Sequence, residues 1–236
     1  MKLTSLYQRL FGHTIVFSMT KIFDYFLAFL GLLLLTPIFI LVAIAIRIDS
    51  KGKIFFRQWR VGKHGKYFRV FKFRTMYRDA DKIKLLTTSN KDIRITKVGL
   101  FLRRFKIDEL PQLLNVLAGD MSIVGPRPEI PEFVNLYSKS QQQVLQIKPG
   151  ITDLASLIFI NENELLAKAE NPEGFYLHEI LPLKIRLNKV YILKSTVTKY
   201  FSIIGWTFFS FFHISNSRLK QIELACKSRI FRNTVP

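Results

Sequence analysis

Between Tyr25 and Ile46 the sequence runs for 22 residues without a charged side chain, YFLAFLGLLLLTPIFILVAIAI. Coiled as an α-helix, such a run is about 33 Å long, enough to cross the hydrocarbon core of a bilayer. It is not patterned as a secretory leader. Three basic residues (Lys2, Arg9, Lys21) are spread before it, the apolar stretch is too long, and Arg47-Ile48-Asp49 follows where small residues would mark a cleavage site. A buried helix of a soluble core is the competing reading, and the charge-free length favours membrane insertion. Pro37 lies near the middle, where a missing backbone donor and a clash with the preceding turn predict a kink. Thr36 can return its hydroxyl to an upstream carbonyl and ease the local deficit. Both flanks are positively charged, which draws both ends toward the cytoplasm. Two arrangements stay open at this point: a bent but complete crossing, and a kinked helix that enters and leaves the same leaflet.

The remainder of the 236 residues is strongly basic, with 36 Lys and Arg against 17 Asp and Glu and a net charge of +19. Hydrophobic residues make up 49% of the chain, which excludes a disordered polymer; the charge points to an anionic partner such as nucleic acid, anionic lipid or a phosphorylated substrate. The surplus is not spread evenly. Arg47 to Lys106 holds 19 Lys and Arg and only four acids, a net of +15 directly after the apolar segment. At roughly 1 kcal/mol for each basic residue near an anionic leaflet, this density would hold a domain flat on the inner surface. Part of it alternates with aromatic residues, in Phe55-Phe56-Arg57-Gln58-Trp59-Arg60 and Tyr67 to Arg74, which reads as two short strands with one apolar and one basic face. Gly62-Lys63-His64-Gly65-Lys66 between them predicts a β-hairpin turn. Aromatic and basic strands also suit single-stranded nucleic acid, a rival class that the apolar segment disfavours. The lone cysteine, Cys226, indicates a reducing compartment, and the four histidines show no zinc-ligand spacing beside it.

Coarser signals organise the rest. Residues 1–20 read as a short amphipathic helix carrying Leu3, Leu6, Tyr7 and Leu10, Asp79 to Asn90 as a polar stretch of helical tendency, and Thr96 to Phe105 as a basic helix or turn. Leu110, Leu113, Leu114 and Leu117 fall on one face of a helix that closes at Gly119. Ser122 to Pro131 is proline-rich and reads as irregular, Pro131 to Gln146 as helical, with Lys148-Pro149-Gly150 as its stop. Acids cluster over 162–180, a Leu- and Lys-rich helix follows, and Val197 to Ile214 predicts an interfacial or core helix.

Asp108-Glu109 is an adjacent acid pair at the start of a predicted helix, with Pro111 in its first turn. Helix starts favour ionised carboxylates and bound phosphate. Arg103, Arg104 and Lys106 precede the pair, and Gly125-Pro126-Arg127-Pro128 adds an arginine on a stiff loop. Two carboxylates ringed by cations at a membrane point to a divalent metal handling a diphosphate, since Mg²⁺ favours one or two carboxylates with phosphate oxygens completing its shell. Plain dipole complementarity is the competing account of the pair.

Thr20-Lys21-Ile22-Phe23-Asp24, Thr36-Pro37, Phe71-Lys72-Phe73-Arg74-Thr75-Met76, Ile107-Asp108-Glu109-Leu110-Pro111-Gln112-Leu113 and Gly119-Asp120-Met121-Ser122-Ile123-Val124-Gly125-Pro126-Arg127-Pro128 stand in order. Together they resemble the bacterial sugar transferases, the small monotopic phosphoglycosyl transferases, over roughly residues 20–215. The resemblance implies transfer of a sugar 1-phosphate from a UDP-sugar to polyprenyl phosphate with release of UMP. It implies Asp108 as the nucleophile that forms an aspartyl-phosphosugar, Glu109 as a Mg²⁺ ligand, and Arg103 and Arg127, with Lys72 or Arg74, as phosphate-neutralising groups. Thr36-Pro37 matches the break of a re-entrant helix, and the resemblance thereby favours the single-leaflet arrangement. The chain departs from the family at Phe105-Lys106, where Ser or Thr is usual. It departs again at Thr152-Asp153-Leu154-Ala155-Ser156-Leu157, in place of a Thr-Gly-X-X-Gln-Val stretch, so sugar preference does not carry over.

The expected fold is α+β: a small membrane-associated α/β domain with an N-terminal re-entrant membrane helix, a β-hairpin and surface amphipathic helices. Residues 1–48 would form the anchor, 49–215 the catalytic domain and 216–236 a basic tail. The expected location is the cytoplasmic face of a bacterial inner membrane, initiating a surface polysaccharide or glycoconjugate. Expected partners are a UDP-sugar, polyprenyl phosphate and anionic lipids, with no nucleic acid and self-association left open. A non-catalytic basic membrane scaffold and a single-stranded nucleic-acid binder are the alternatives.

Overall fold

A computed structural model describes the backbone of residues 2–78, 80, 92–160 and 162–211. The predicted polar helix over Asp79 to Asn90 and the basic tail 216–236 lie outside the described residues, apart from Ala80, and so do the side chains that would form the amphipathic face of residues 1–18. Helices and small sheets are mixed, as the α+β expectation requires. Helix α1 (Lys2–Asp49) runs without interruption through Pro37. Thr36 donates its hydroxyl to the Leu32 carbonyl at 2.7 Å, while proline has no N–H to offer the carbonyl of Leu33.

One stripe of α1 faces the rest of the protein. Asp24, Ala28, Val42 and Ile46 are buried at steps of three or four residues or their multiples, with Phe23, Leu27 and Phe39 partly covered between them. The opposite side leaves Ile22, Phe26, Phe29, Leu33, Leu34, Leu41 and Ile44 exposed. Gly31 sits where a Cβ would stand 3.2 Å from the Leu113 methyl, so its absence lets α1 approach.

The hairpin forms where expected. Strands β1 (Phe55–Val61) and β2 (Tyr67–Phe73) pair antiparallel from Phe55–Phe73 to Val61–Tyr67, joined by a tight turn over Lys63–Gly65 in which His64 and Gly65 take positive φ. The predicted separation into an apolar and a basic face is not what forms. On the outer face cations lie on rings, Arg57 over Phe71 at 4.3 Å and Arg69 over Trp59 at 4.5 Å. The inner face combines buried Phe68 and Val70 with the charged Lys72 and Arg60, because those charges have buried acidic partners to meet.

Helix α2 (Lys97–Arg104) is capped by Thr96, whose hydroxyl accepts from the Gly99 N–H at 2.9 Å. The predicted single helix over Leu110–Leu117 divides into a 3₁₀ segment (Ile107–Gln112) followed by α3 (Leu113–Leu117), and Gly119 ends it at φ +84°. Its most buried residues are Pro111, Asn115 and Val116, followed by Gln112, rather than the leucines. Asn115 explains the difference: its amide donates to the Arg69 carbonyl and its Oδ1 accepts from the Phe71 N–H, which closes the outer edge of β2.

Ser122 to Pro131 is not wholly irregular. Strand β3 (Ser122–Val124) pairs in parallel with β4 (Gly150–Thr152), a long-range match that local composition cannot reveal, and Gly150 opens a strand rather than stopping a helix. A Cβ on Gly150 would stand 2.1 Å from the Gly125 nitrogen, so glycine is required there. The predicted helix over Pro131–Gln146 is also broken, into α4 (Pro131–Val134) and a 3₁₀ segment (Gln141–Gln146). Between them Ser138 and Gln141 exchange side-chain and backbone hydrogen bonds, a capping box that starts the second piece afresh. Helices α5 (Leu154–Ile158), α6 (Glu162–Lys168), α7 (Pro172–Phe175), a π turn (Tyr176–Ile180), α8 (Leu181–Leu193) and α9 (Val197–Phe211) complete the chain. Phe133, Tyr137, Ala155, Ile180 and Ile185 share the core beneath them. Helix α9 buries Tyr200 and Ile203 and exposes Trp206, Phe208 and Phe209, as an interfacial or core helix should.

Candidate functional site

Strand β2, the 3₁₀ segment and the loop after β3 bring four of the predicted site residues together. Glu109 is the hub. Its Oε1 accepts from Lys72 Nζ at 2.9 Å, and Arg127 reaches it with both terminal nitrogens, Nη1 to Oε2 at 3.0 Å and Nη2 to Oε1. Burial alone would raise the Glu109 pKa, but Arg127 and Lys72 overcome it and hold the carboxyl well below its usual range. The Arg127 guanidinium is correspondingly fixed in its charged form by Glu109. Charge-assisted, two-point pairing of this kind sets orientation as well as energy.

Asp108 differs from its neighbour. It is 7% exposed, and its Oδ1 has no hydrogen-bond partner among the described residues. Burial and then the negative charge of Glu109 raise its pKa, against the opposing pull of Lys72, Arg103 and Lys106. This reverses the expectation that a helix start would favour its ionised form. The segment is a six-residue 3₁₀ stretch preceded by Lys106 in a left-handed conformation (φ 55°), so little aligned peptide dipole is available.

Arg103 joins the site from α2: its Nε donates to the Thr75 hydroxyl at 2.9 Å, and it is among the cations that favour ionised Asp108. Arg74 does not join. Its guanidinium is directed to the carbonyls of Lys51 (2.6 Å) and Ser50 (2.6 Å), with the Ile46 carbonyl at 3.4 Å, so it closes the C-terminal end of α1. Thr36 and Pro37 lie within the apolar stretch of α1, distinct from the carboxylates. The assembled charges are Lys72, Arg103 and Arg127 around two acids, one of which resists ionisation. That surplus of positive charge suits phosphate oxygens.

Several contributors escaped the sequence reading. Arg60 faces Glu129 at 3.9 Å and donates to the Pro128 carbonyl at 3.3 Å, steadying the loop that carries Arg127. Glu129 in turn accepts from the Tyr176 hydroxyl, and Lys184 pairs with Glu162 at 2.8 Å beside that same tyrosine. Asp153 receives the Arg127 backbone N–H at 3.1 Å, the Asn188 amide at 2.8 Å and the Ser156 N–H at 2.5 Å. A signal for it was present: Asp153 precedes a helix three residues before Ser156, in the position of an N-cap.

Residues 16–213 match the profile of the family described as bacterial sugar transferase. The chain is 44% identical over 144 residues to an undecaprenyl-phosphate glucose phosphotransferase of Komagataeibacter xylinus, covering 58% of this chain and 27% of that protein. It is 43% identical over 162 residues to a UDP-glucose:undecaprenyl-phosphate glucose-1-phosphate transferase of Escherichia coli K12, covering 66% and 35%. A UDP-N-acetylgalactosamine-undecaprenyl-phosphate N-acetylgalactosaminephosphotransferase of Aeromonas hydrophila is 36% identical over 138 residues, covering 57% and 33%. The chain thus spans a third or so of the length of these three curated relatives.

Proposed function

The chain belongs to the bacterial sugar transferase family, and from that premise we propose that it transfers a sugar 1-phosphate from a UDP-sugar to polyprenyl phosphate and releases UMP. The step would initiate a surface polysaccharide or glycoconjugate. The relatives are named for glucose and N-acetylgalactosamine donors, so a UDP-hexose is the donor class. The observation that carries the reading is the buried, unpartnered Oδ1 of Asp108 beside a Glu109 clamped by Lys72 and Arg127.

Asp108 Oδ1 attacks the sugar-bearing phosphorus, and the bond from that phosphorus to the bridging oxygen breaks, so UMP leaves with the oxygen. An oxygen of polyprenyl phosphate then attacks the same phosphorus and returns the Asp108 carboxylate. Both transfers depend on positioning and charge neutralisation more than on covalent assistance. Lys72, Arg103 and Arg127 supply fixed positive charge where phosphate oxygens gather. Arg103 also favours the ionised Asp108 that a nucleophile must present, against the burial that opposes it. Two successive transfers let the soluble UMP depart before the lipid phosphate occupies the site.

The Mg²⁺ implied by the family fits the donor set. A carboxylate offers about four lone-pair sites; Glu109 uses two on Oε1 and one on Oε2, which leaves one on Oε2 for the ion, while Asp108 Oδ1, free of protein partners among the described residues, is kept for phosphorus. No third metal-type ligand joins them among the described residues, as suits an ion that completes its shell with phosphate oxygens and water. Bound there, Mg²⁺ would neutralise charge on the diphosphate.

We place the protein at the cytoplasmic face of a bacterial inner membrane, monotopic, with Thr36-Pro37 as the point at which the otherwise continuous α1 would bend to stay within one leaflet. The supporting observation is the stripe from Asp24 to Ile46, along which the charged domain packs. A helix driven straight across would carry those charges into hydrocarbon. The apolar flank of α1, with Trp206, Phe208 and Phe209 of α9, supplies the surface for lipid.

The test is UMP release with polyprenyl phosphate and a panel of UDP-sugars, with and without Mg²⁺, followed by mass analysis of the peptide holding Asp108 after incubation with donor alone. A phosphosugar adduct on Asp108 supports the reading. Product formation with no adduct there refutes the nucleophile assignment, and liposome or oligonucleotide binding without turnover would favour the scaffold or nucleic-acid alternatives.

A further inference from the structure

Arg127 stands between two prolines, so its own N–H is the one backbone donor between Gly125 and Glu129. A loop with so few donors cannot be held by a ladder of backbone bonds, and other groups must fix it. They come from far along the chain. The Arg127 N–H reaches Asp153 Oδ2 at 3.1 Å, and the Asn188 amide donates to that same oxygen at 2.8 Å. Two residues on, the Glu129 carboxylate accepts from the Tyr176 hydroxyl, to which Lys184 Nζ donates at 3.4 Å. An ammonium can only donate, so a hydroxyl that accepts from Lys184 turns its own proton toward Glu129.

Lys184 and Asn188 both belong to α8, four residues apart and therefore on one face. They are 4% and 5% exposed, on a helix that also buries Leu181, Ile185 and Leu187. Burying an ammonium is costly unless its partners are well placed, and an apolar side chain of similar volume is often as stable or more so. Lys184 does have partners, Glu162 at 2.8 Å and the Tyr176 ring with its centre 5.1 Å away. Asn188 leaves its Oδ1 without a partner among the described residues, so what it contributes is the donor to Asp153. The bonds of these two side chains lead to Asp153, Glu162 and Tyr176 and not to Asp108 or Glu109. Any influence on the carboxylates passes through the loop. Its two anchors bracket Pro128 and fix the backbone from which the Arg127 guanidinium grips Glu109 with both terminal nitrogens.

We propose that Lys184 and Asn188 are positioning residues for Arg127: α8 holds the proline loop at two points and so aims the guanidinium at Glu109 and at the phosphate the site receives. The catalytic consequence rests on the UDP-sugar reading above; the anchoring itself does not.

In the full chain held in nanodiscs, Asn188→Ala and Lys184→Met should each lower kcat for UMP release about tenfold, within what a displaced catalytic group loses, and leave the KM for polyprenyl phosphate within about twofold. In an Arg127→Ala background the same substitutions should change the residual turnover by less than about twofold, because the group they act through is gone. Tyr176→Phe removes one hydroxyl and keeps the ring. It should act in the same direction with the same dependence on Arg127, and it stands in for a Lys184→Met chain that does not fold. Hydrogen exchange gives a reading without turnover. In Asn188→Ala the peptide holding Arg127 should take up deuterium about fivefold faster, as loss of one hydrogen bond implies, and the peptides of α2 at the wild-type rate. Losses of kcat that persist undiminished in the Arg127→Ala background, or faster exchange spread evenly over the chain, would mark a merely structural role and overturn the proposal. Wild-type exchange and turnover in Asn188→Ala would overturn it as well. Each of those outcomes leaves the parent reading intact. A wild-type chain that turns over no UDP-sugar defeats that reading and the catalytic consequence with it, while the exchange measurement still decides the anchoring.

Discussion

Asp108 and Asp153 are both buried aspartates, and the protein treats them in opposite ways. Asp153 receives three hydrogen bonds, from Arg127, Asn188 and Ser156, and joins the start of α5 to the loop of the candidate site. Asp108 has an oxygen with no partner and a like charge next to it in the chain. Leaving a buried polar group unpaired costs about 1–3 kcal/mol, more if charged, and the fold tolerates this at Asp108 alone among the buried described carboxylates. Asp24, which gathers Ser122, the Ile123 N–H and Tyr200 on one oxygen, follows the Asp153 pattern. The contrast separates aspartates that hold the architecture from one left open, the one that the proposed function makes the nucleophile.

The largest expected effect breaks the comparison if it fails. Asp108→Asn should lower UMP release by roughly four orders of magnitude, as loss of a covalent nucleophile does, and yet raise the melting temperature. Removing the buried charge should stabilise the fold by about 1–3 kcal/mol at neutral pH. The folded pKa of Asp108 is raised, so wild-type stability falls relative to the Asn variant as pH climbs from the ordinary aspartate value, about 3.9, through that raised pKa. The difference in melting temperature should therefore be smallest in acid, grow with pH and then level off. A variant that loses activity and stability together would place Asp108 with Asp153.

Glu109→Gln should destabilise by about 3–5 kcal/mol in denaturant titration, because Lys72 and Arg127 lose a buried counter-charge. Asp153→Ala should cost about 2–3 kcal/mol from the lost cap and the orphaned Arg127 and Asn188 donors, with turnover reduced but measurable. Tyr200→Phe is the mildest, about 1 kcal/mol, with the KM for UDP-sugar unchanged. An effect of Tyr200→Phe on donor kinetics would blur the line between the two kinds of aspartate.

Much of this arrangement was legible in the chain. The apolar run, the hairpin with its turn, and the grouping of Asp108, Glu109, Lys72, Arg103 and Arg127 follow from spacing and family motifs. Arg74 was misjudged because it shares a motif with Lys72. Both project from the end of β2, but the carbonyls at the close of α1 lie within reach of Arg74, a tertiary fact with no local signature. The pairing of β3 with β4 and the Arg60–Glu129–Tyr176 chain join residues 28 or more positions apart, and such contacts leave no periodicity to read. The ionisation of Asp108 was misread because a helix start was inferred without knowing how short and how buried the segment is.

Lys72 grips Glu109 while Arg74, two positions on, grips the end of α1. Two residues span about 7 Å in a strand. The acid pair is thus tethered to the end of the apolar helix by a single extended peptide instead of a flexible hinge. On the proposed reading, the height of the Asp108 carboxyl above the lipid would then be a near-constant of the molecule, like the reach of a ruler clamped at one end.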